Sequence, residues 1–536
     1  MGAPMGAALL VSLALLAQQP PAPGPEFDAG FASITEKDVL VHLTEIASPE
    51  LEGRDSPSEG LTRAGDYIIG RLKAAGVEPG GPNQSYRMSY SLAGIGERPF
   101  EIPVPEQCLL AMQPKGADEV TFVLEEDFVP LPHCPGEGEG PLTFFGFGIT
   151  EADDKRYDDL KGKNCKGEIV MILEGEPRSK KLFEGPVITR ASNVYSKAKA
   201  LEERGAHGVL VVRRAPSEVP KGLDGKPVAP PALGYRYTWA PWNPDAPGVV
   251  EPYTGGDVHV GIPVLEISES AATRLLGEDV TELAGKIEST GKPVRRAREN
   301  VRVSVRADFA KKPVQLDNVV GLVRGTDAKL AQEYVVLGAH YDHIGVDAWG
   351  RVGCGADDNG SGSASLVELA EAFALCRPKR SLLFAWFSAE EDGELGSLEF
   401  CKNPPVAKNS MVAMLNMDMI GCVADDEVVV LGCRENPEFE DVLKDARKLR
   451  PTQLKKVETD KGYDLWERSD HYSFHKIGIP VLFFLESGKD SDNPDYHTYR
   501  DTLAVVSVTK IARVTHLVFN TAWLIANDPQ RPPPPH

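Results

Sequence analysis

Five apolar runs of strand length constrain the second half of this chain more than any other feature. They are Tyr334–Gly338, Ser381–Phe387, Val412–Asn416, Glu427–Leu431 and Pro480–Leu485. Between or after them, Ser363–Leu375, Pro437–Leu449 and Val505–Ala526 carry apolar residues at helical spacing. Strands alternating with helices predict an α/β unit with a mostly parallel central sheet flanked by helices. In such sheets, functional groups gather beyond the carboxyl ends of the strands.

The first half has a different texture. Thr35–Val77 reads as helical, with Leu61, Ala64, Ile68, Leu72 and Ala75 on one face and Gly76 placed to end it. From about Phe100, short apolar runs alternate with Gly and Pro: Val120–Leu124, Leu142–Phe147, Glu168–Leu173, Val209–Val212 and Pro263–Glu266. Ser196–Arg204 reads as a helix among them, and Ala215–Gly255 as a long surface excursion. The expected division is 1–23 leader and linker, 24–100 first part of the main domain, 101–296 inserted β-rich domain, 297–528 main domain, and 529–536 a Pro-rich tail.

Composition excludes some classes. A chain of 536 residues that is 42% hydrophobic and 26% charged has material for two or three domains with buried cores. A net charge of −21 argues against a nucleic-acid partner, since nothing neutralises phosphates over a broad face. The apolar run Ala7–Ala17 is too short to span a membrane but suits the core of a signal peptide, although no Lys or Arg precedes it. A secreted or periplasmic location without membrane insertion is the expectation. None of the eight cysteines forms a CxxC pair, so a thiolate zinc site is not indicated; disulfides and buried free thiols both remain open.

The strand ends carry the chemistry. Tyr334–Gly338 delivers His340 and Asp342, and the Gly-rich loop before Ser363–Leu375 delivers Asp357 and Asp358. Ser381–Phe387 leads to Glu390 and Glu391, Val412–Asn416 to Asp418, and the loop after Pro480–Leu485 to His497. Each alone has an ordinary reading: a structural histidine, a turn, a solvated acidic pair. Together they supply two histidines, two terminal carboxylates and a carboxylate, Asp357, able to bridge two cations. Such an N/O set without thiolate suits two zinc ions, with cobalt or manganese as substitutes. Asp342 is placed to orient the His340 imidazole. With Glu391 as ligand, Glu390 is free to act as general base. His343 and His471 remain open as further ligands.

GAHYDHIG, GADDNGSGSA, FSAEEDGELGS, NMDMIG and DYHTYRDT resemble the co-catalytic zinc exopeptidases, a family of secreted bacterial leucyl-type aminopeptidases related to glutamate carboxypeptidase II and the transferrin receptor ectodomain. The resemblance covers most of residues 300–528. It implies one zinc on His340, Asp357 and Asp418 and another on Asp357, Glu391 and His497, with Glu390 as base and Asp342 as orienting group. It also implies that Tyr496 steadies the oxyanion and that the Asp357–Asp358 peptide is cis. FFGFGITEADDKRYDDLKGKNCKGEIVMILEGEP with KALEERGAHGVLVV looks like a protease-associated domain, and ELEGRDSPSEG is similar to the start of the same peptidases.

The resulting expectation is a secreted aminopeptidase acting on peptides. A carboxypeptidase or dipeptidase on the same scaffold is the near alternative, with Arg434, Arg468 or Arg500 to grip a terminal carboxylate. A non-catalytic, receptor-like binding protein is the distant one. The loop holding Glu486, Lys489, Asp490 and Asp492 is charged, which bears against a simple leucine-type preference, and Cys354 stands three residues before Asp357. Oligomeric state is not indicated.

Overall fold

Along the strand Tyr334–His340, Val335, Leu337 and Ala339 enter one core while Val336 enters another. Both faces of this strand are therefore covered, which is why it reads as a continuous apolar run. The computed structural model describes residues 24–95, 98–99, 101–150, 157–178, 190–214, 226–227, 233, 260–346, 351–487 and 493–535. The leader 1–23, most of Ala215–Gly255, and Lys489, Asp490 and Asp492 lie outside the described residues.

The main sheet runs in the order Glu78–Pro79, Val314–Val323, Ser381–Phe387, Tyr334–His340, Met411–Met417, Val481–Leu485, Glu427–Leu431, Lys456–Glu458, with Arg87–Leu92 also on Val314–Val323. Four central strands, Ser381–Phe387 to Val481–Leu485 in that order, are parallel. The next pairings outward on each side are antiparallel. All four central strands thus end on the same edge of the sheet, and that edge carries the polar residues singled out above.

One face is covered by helices Glu36–Ile46, Glu59–Ala74, Gly362–Leu375 and Val508–Asn527, closing over Trp386, Phe384, Leu415 and Phe519. The other is covered by the short helices Leu395–Lys402 and His471–Lys476, which bring Phe400 and Phe474 against Phe387. The helices begin where capping side chains allow. Thr35 accepts from the Asp38 amide, Ser58 from Leu61 and Ser507 from Lys510, each satisfying a donor that the first turn leaves open.

The expected helical stretch Thr35–Val77 is two helices. Pro49 starts a tight turn, and Glu52, Gly53 and Arg54 take φ of 50°, 72° and 52°, which no helix tolerates. Gly76, at φ 74°, does end the second helix.

A second sheet has the order Val120–Thr121, Leu109–Pro114, Arg295–Ala307, Gly136–Phe145, Ile169–Leu173, Gly208–Val212, Val264–Ile267, Phe128–Pro130. Its central pairings, Gly136–Phe145 with Ile169–Leu173 with Gly208–Val212 with Val264–Ile267, are parallel. It has cores of its own on both faces, one around Phe144, Met171 and Leu210, the other around Val170, Ile172 and Val209. A boundary at residue 296 falls inside the strand Arg295–Ala307, so this unit extends to Ala307. The sequence misplaces that edge because the strand's first half, RRAREN, is charged and carries no apolar alternation.

The eight cysteines are free thiols, seven of them buried. Among the described residues no helix is long and apolar enough to cross a membrane. The Pro-rich tail is docked, with Pro533 accepting from Asn436 Nδ2 and Arg531 paired with Glu333.

Candidate metal centre

His340 closes its strand with the imidazole buried. Its Nε2 stands 3.2 Å from Asp418 Oδ1, 3.3 Å from Asp358 Oδ1 and 3.8 Å from Glu390 Oε2. On the far side of Asp358, Oδ2 lies 3.1 Å from His497 Nε2, which is itself 2.9 Å from Glu391 Oε2. Asp358 therefore faces two donor sets, one with each oxygen. His340 and Asp418 form the first; Glu391 and His497 form the second.

This corrects the bridging residue by one position. Asp357 points away from both histidines: its Oδ1 accepts from the Gly421 amide at 2.7 Å and its Oδ2 from Asn493 Nδ2 at 3.0 Å. Adjacent side chains in this loop diverge because Asp501 holds both backbones, accepting from the amides of Asp357 and Asp358 at 2.8 and 3.0 Å. The cis peptide is likewise Asp358–Asn359, not Asp357–Asp358. Asn359 donates to the Met417 carbonyl and accepts from the Gly362 amide, tying the loop to the next strand and to its own helix.

Asp342 has a broader task than orienting an imidazole. Its Oδ1 is 3.7 Å from His340 Nδ1, while its carboxylate accepts from the backbone amides of Glu390 and Glu391 at 3.2 and 3.3 Å. One buried side chain thus fixes the histidine's strand end and the loop carrying both glutamates. Ser469 donates to Asp418 Oδ2 at 2.7 Å.

The sequence leaves His343 open and does not single out Arg54. His343 is fully buried with Nδ1 2.8 Å from Glu391 Oε1 and 3.7 Å from Asp358 Oδ2, so it stands beside the second set. The HxDH spacing held that signal, but left His343 undecided. Arg54, at the end of ELEGR, is also fully buried and donates to the carbonyls of Tyr341 and Gly355 beside both ligand loops. His471, the other open candidate, lies elsewhere, stacked on Phe483 with Nε2 2.8 Å from the Trp466 carbonyl.

The electrostatics fit a cation. Burial pushes the Glu390 carboxyl well above its ordinary range, with Asp418, Glu391 and Asp470 adding to it against His340. Against burial, the neighbouring His340 and His497 hold Asp358 well below the carboxylate range. Against burial and Asp358, His497 and His343 bring Glu391 down to about 2. Burial would lower His497, but Glu391 and Asp358 raise it to about 10. Four carboxylates, Asp358, Glu390, Glu391 and Asp418, thus crowd one buried cluster. Asp358 Oδ2 and His497 Nε2 are buried without a hydrogen bond, as expected of atoms shaped for metal rather than for protons.

A cleft opens over the cluster, with Met419, Leu465, Phe483 and Leu485 forming an apolar wall and Tyr496 and Arg468 its polar rim. The Tyr496 ring stacks on His497 at 3.8 Å between centroids. Burial, with Asp358 and Glu391 beyond it, pushes the Tyr496 hydroxyl well above its ordinary value, so it keeps its proton. Arg468 Nη2 lies 3.4 Å from that hydroxyl.

Residues 318–522 match Peptidase family M28. This segment belongs to that family. The chain is also 32% identical over 203 residues to a probable leucine aminopeptidase of Arthroderma benhamiae, covering 37% of this chain and 55% of the relative. Leucine aminopeptidase 1 of Metarhizium robertsii is 30% identical over 206 residues, covering 35% and 50%. The chain spans about half the length of the curated relatives it matches. In fold, the whole chain is similar to a zinc aminopeptidase of Bacillus subtilis, with a TM-score of 0.51, 17% identity, and 92% and 96% of the two chains covered. The M28 α/β fold therefore comes with the second unit in place.

Proposed function

We propose that the protein is a dinuclear zinc aminopeptidase that removes N-terminal residues from peptides. The observation that carries this reading is Asp358, whose two oxygens face separate histidine–carboxylate pairs with Glu390 alongside. His340, Asp358 and Asp418 would hold one ion, and Asp358, Glu391 and His497 the other, with His343 flanking the second. Bound zinc at such a site supplies Lewis acidity and lowers the pKa of water.

The chain's own groups do the rest. Glu390 accepts the proton of the attacking water at its carboxylate and returns it to the departing amine nitrogen. Tyr496, kept protonated by its surroundings, donates to the developing oxyanion. Asp342 holds the amides of Glu390 and Glu391, so base and ligand keep their spacing. The apolar wall of Met419, Leu465, Phe483 and Leu485 receives an apolar N-terminal side chain. The second unit acts as a protease-associated domain that limits which substrates reach the cleft. The N-terminal run Ala7–Ala17 supports export.

One observation favours a second reading. Arg468 lies on the cleft rim beside the Tyr496 hydroxyl, within reach of a substrate's terminal carboxylate. That would make the enzyme a carboxypeptidase or dipeptidase. Matched peptides with free and acetylated amines separate the two. Cleavage confined to the free amine supports the aminopeptidase; cleavage of the acetylated peptide from its C-terminus replaces it. In either case Glu390→Gln should lower kcat by about 10²–10⁴ with zinc content unchanged.

A further inference from the structure

A second set of ligand-type side chains lies outside the cleft, where three helices meet. His42 comes from Glu36–Ile46, Tyr67 and Arg71 from Glu59–Ala74, and Glu368 and Glu371 from Gly362–Leu375. His42 and Glu368 are 1% and 3% exposed, and His42 Nε2 lies 3.0 Å from Glu368 Oε1 and 4.0 Å from Glu371 Oε1. Donors held about 2.0–2.2 Å from one zinc ion stand about 3 Å or slightly more apart. The two close atoms approach each other without hydrogen-bond geometry, and neither has another hydrogen-bond partner. A protonated histidine in a simple buried pair would instead direct its N–H at the carboxylate.

The surroundings complete the pattern. His42 Nδ1 is 2.7 Å from the Tyr67 hydroxyl, the outer contact that fixes a ligating imidazole's tautomer. Glu368 and Glu371 are three residues apart, on one face of their helix. Arg71 engages Glu371 through Oε1 alone, at 2.7 and 2.9 Å. A cavity of about 210 Å³, bounded by Ser33, Asp38, Glu368 and Glu371, adjoins the cluster and has room for an ion with its waters. Three carboxylates border this space against one guanidinium.

We propose that His42, Glu368 and Glu371 form a separate divalent-cation site of zinc type, which ties the helix Glu36–Ile46 to the helix Gly362–Leu375. Its ligands are one imidazole and two carboxylates, with water filling the remaining positions from the cavity side. The ion would be structural, since none of these residues lines the cleft.

The test is a difference in zinc content, so it does not depend on the activity proposed above. The full chain is dialysed against micromolar free zinc, and bound metal per chain is measured for wild type, His42→Ala and Glu368→Gln. One ion more in wild type than in either variant supports the site, whatever the cleft itself holds. Equal content in folded wild type and variants overturns it. Should both variants fail to fold, Glu371→Gln, on the partly exposed rim, is compared with wild type in zinc-dependent thermal unfolding. A smaller zinc-induced rise in Tm supports the site, and an unchanged rise overturns it.

Discussion

Arg54 donates through Nη1 to the carbonyl oxygen of Cys354 at 2.7 Å, joining segments 300 residues apart. The same guanidinium reaches Tyr341, Ile46 and Gly355, so one buried cation holds the loop after His340, the loop before Asp358 and the first helices together. Burial lowers its pKa, and Cys354, Asp501, Asp342 and Asp358 oppose that shift only in part.

Lysine cannot reproduce this arrangement, because an ammonium lacks the planar fork that serves several carbonyls at once. Arg54→Lys should cost about 2–4 kcal/mol by leaving buried carbonyls unpaired. Zinc affinity should fall with it, since both ligand loops lose their tether. Urea unfolding and zinc titration measure the two effects. A variant with native stability and affinity would show that the guanidinium is a bystander.

The one-residue shift of the bridging carboxylate separates two variants that look equivalent in sequence. Asp358→Asn should abolish binding at both metal positions of the cleft, because each oxygen faces one of them. Asp357→Asn should retain both ions and weaken them by about 10–100-fold, since it disturbs contacts behind the ligand loop, to Gly421, Asn493, Glu486 and Cys422. Elemental analysis after dialysis decides, and the reverse pattern would return the bridging role to Asp357.

A pH effect on stability arises in the second unit, far from any ligand. Burial pushes the Asp159 carboxyl up to about 7, although Tyr157 and the amides of Ile149 and Phe147 all favour its ionised form. Unfolded, the group would titrate near its ordinary 3.8. Between those values the folded chain holds a proton that the unfolded chain releases, so stability is greatest at low pH and falls as pH rises towards 7. The slope from this group is at most about 1.4 kcal/mol per pH unit. Asp159→Asn should flatten that part of the profile, as read by denaturant unfolding from pH 4 to 8. An unchanged slope would assign it to another group.

What was legible in the sequence follows from range. The strands Ser381–Phe387 and Glu427–Leu431 match their apolar runs residue for residue, because a buried strand writes its limits locally. His340, Glu391, Asp418 and His497 were legible as strand-end polar residues and come together around Asp358. The choice between Asp357 and Asp358 was not, because it is made by Asp501, 144 and 143 residues away. Nothing local in the sequence singles out Arg54, which stands in a stretch that reads as helical; only the fold encloses it. The antiparallel pairing of Glu427–Leu431 was hidden as well, since an apolar run does not state its direction.

The turn that presents Arg54 depends on a close backbone approach. Gly60, in the first turn of the helix Glu59–Ala74, packs against the Leu51 carbonyl so tightly that a Cβ there would overlap the oxygen and carbon of that peptide. The obstacle is backbone, so no rotamer change relieves it, and the helix must move away from the turn Pro49–Arg54. Gly60→Ala would gain helix propensity of up to about 1 kcal/mol if packing were indifferent. The overlap should reverse that sign and give a net loss of about 1–3 kcal/mol. Because the turn carries Arg54, zinc affinity should fall in the same variant, whereas Gly70→Ala, on the same helix with open space around it, should be neutral or stabilising. Thermal unfolding and zinc titration of the two variants side by side test this. Equal behaviour of Gly60→Ala and Gly70→Ala would mean that the helix does not need to sit this close to hold Arg54 in place.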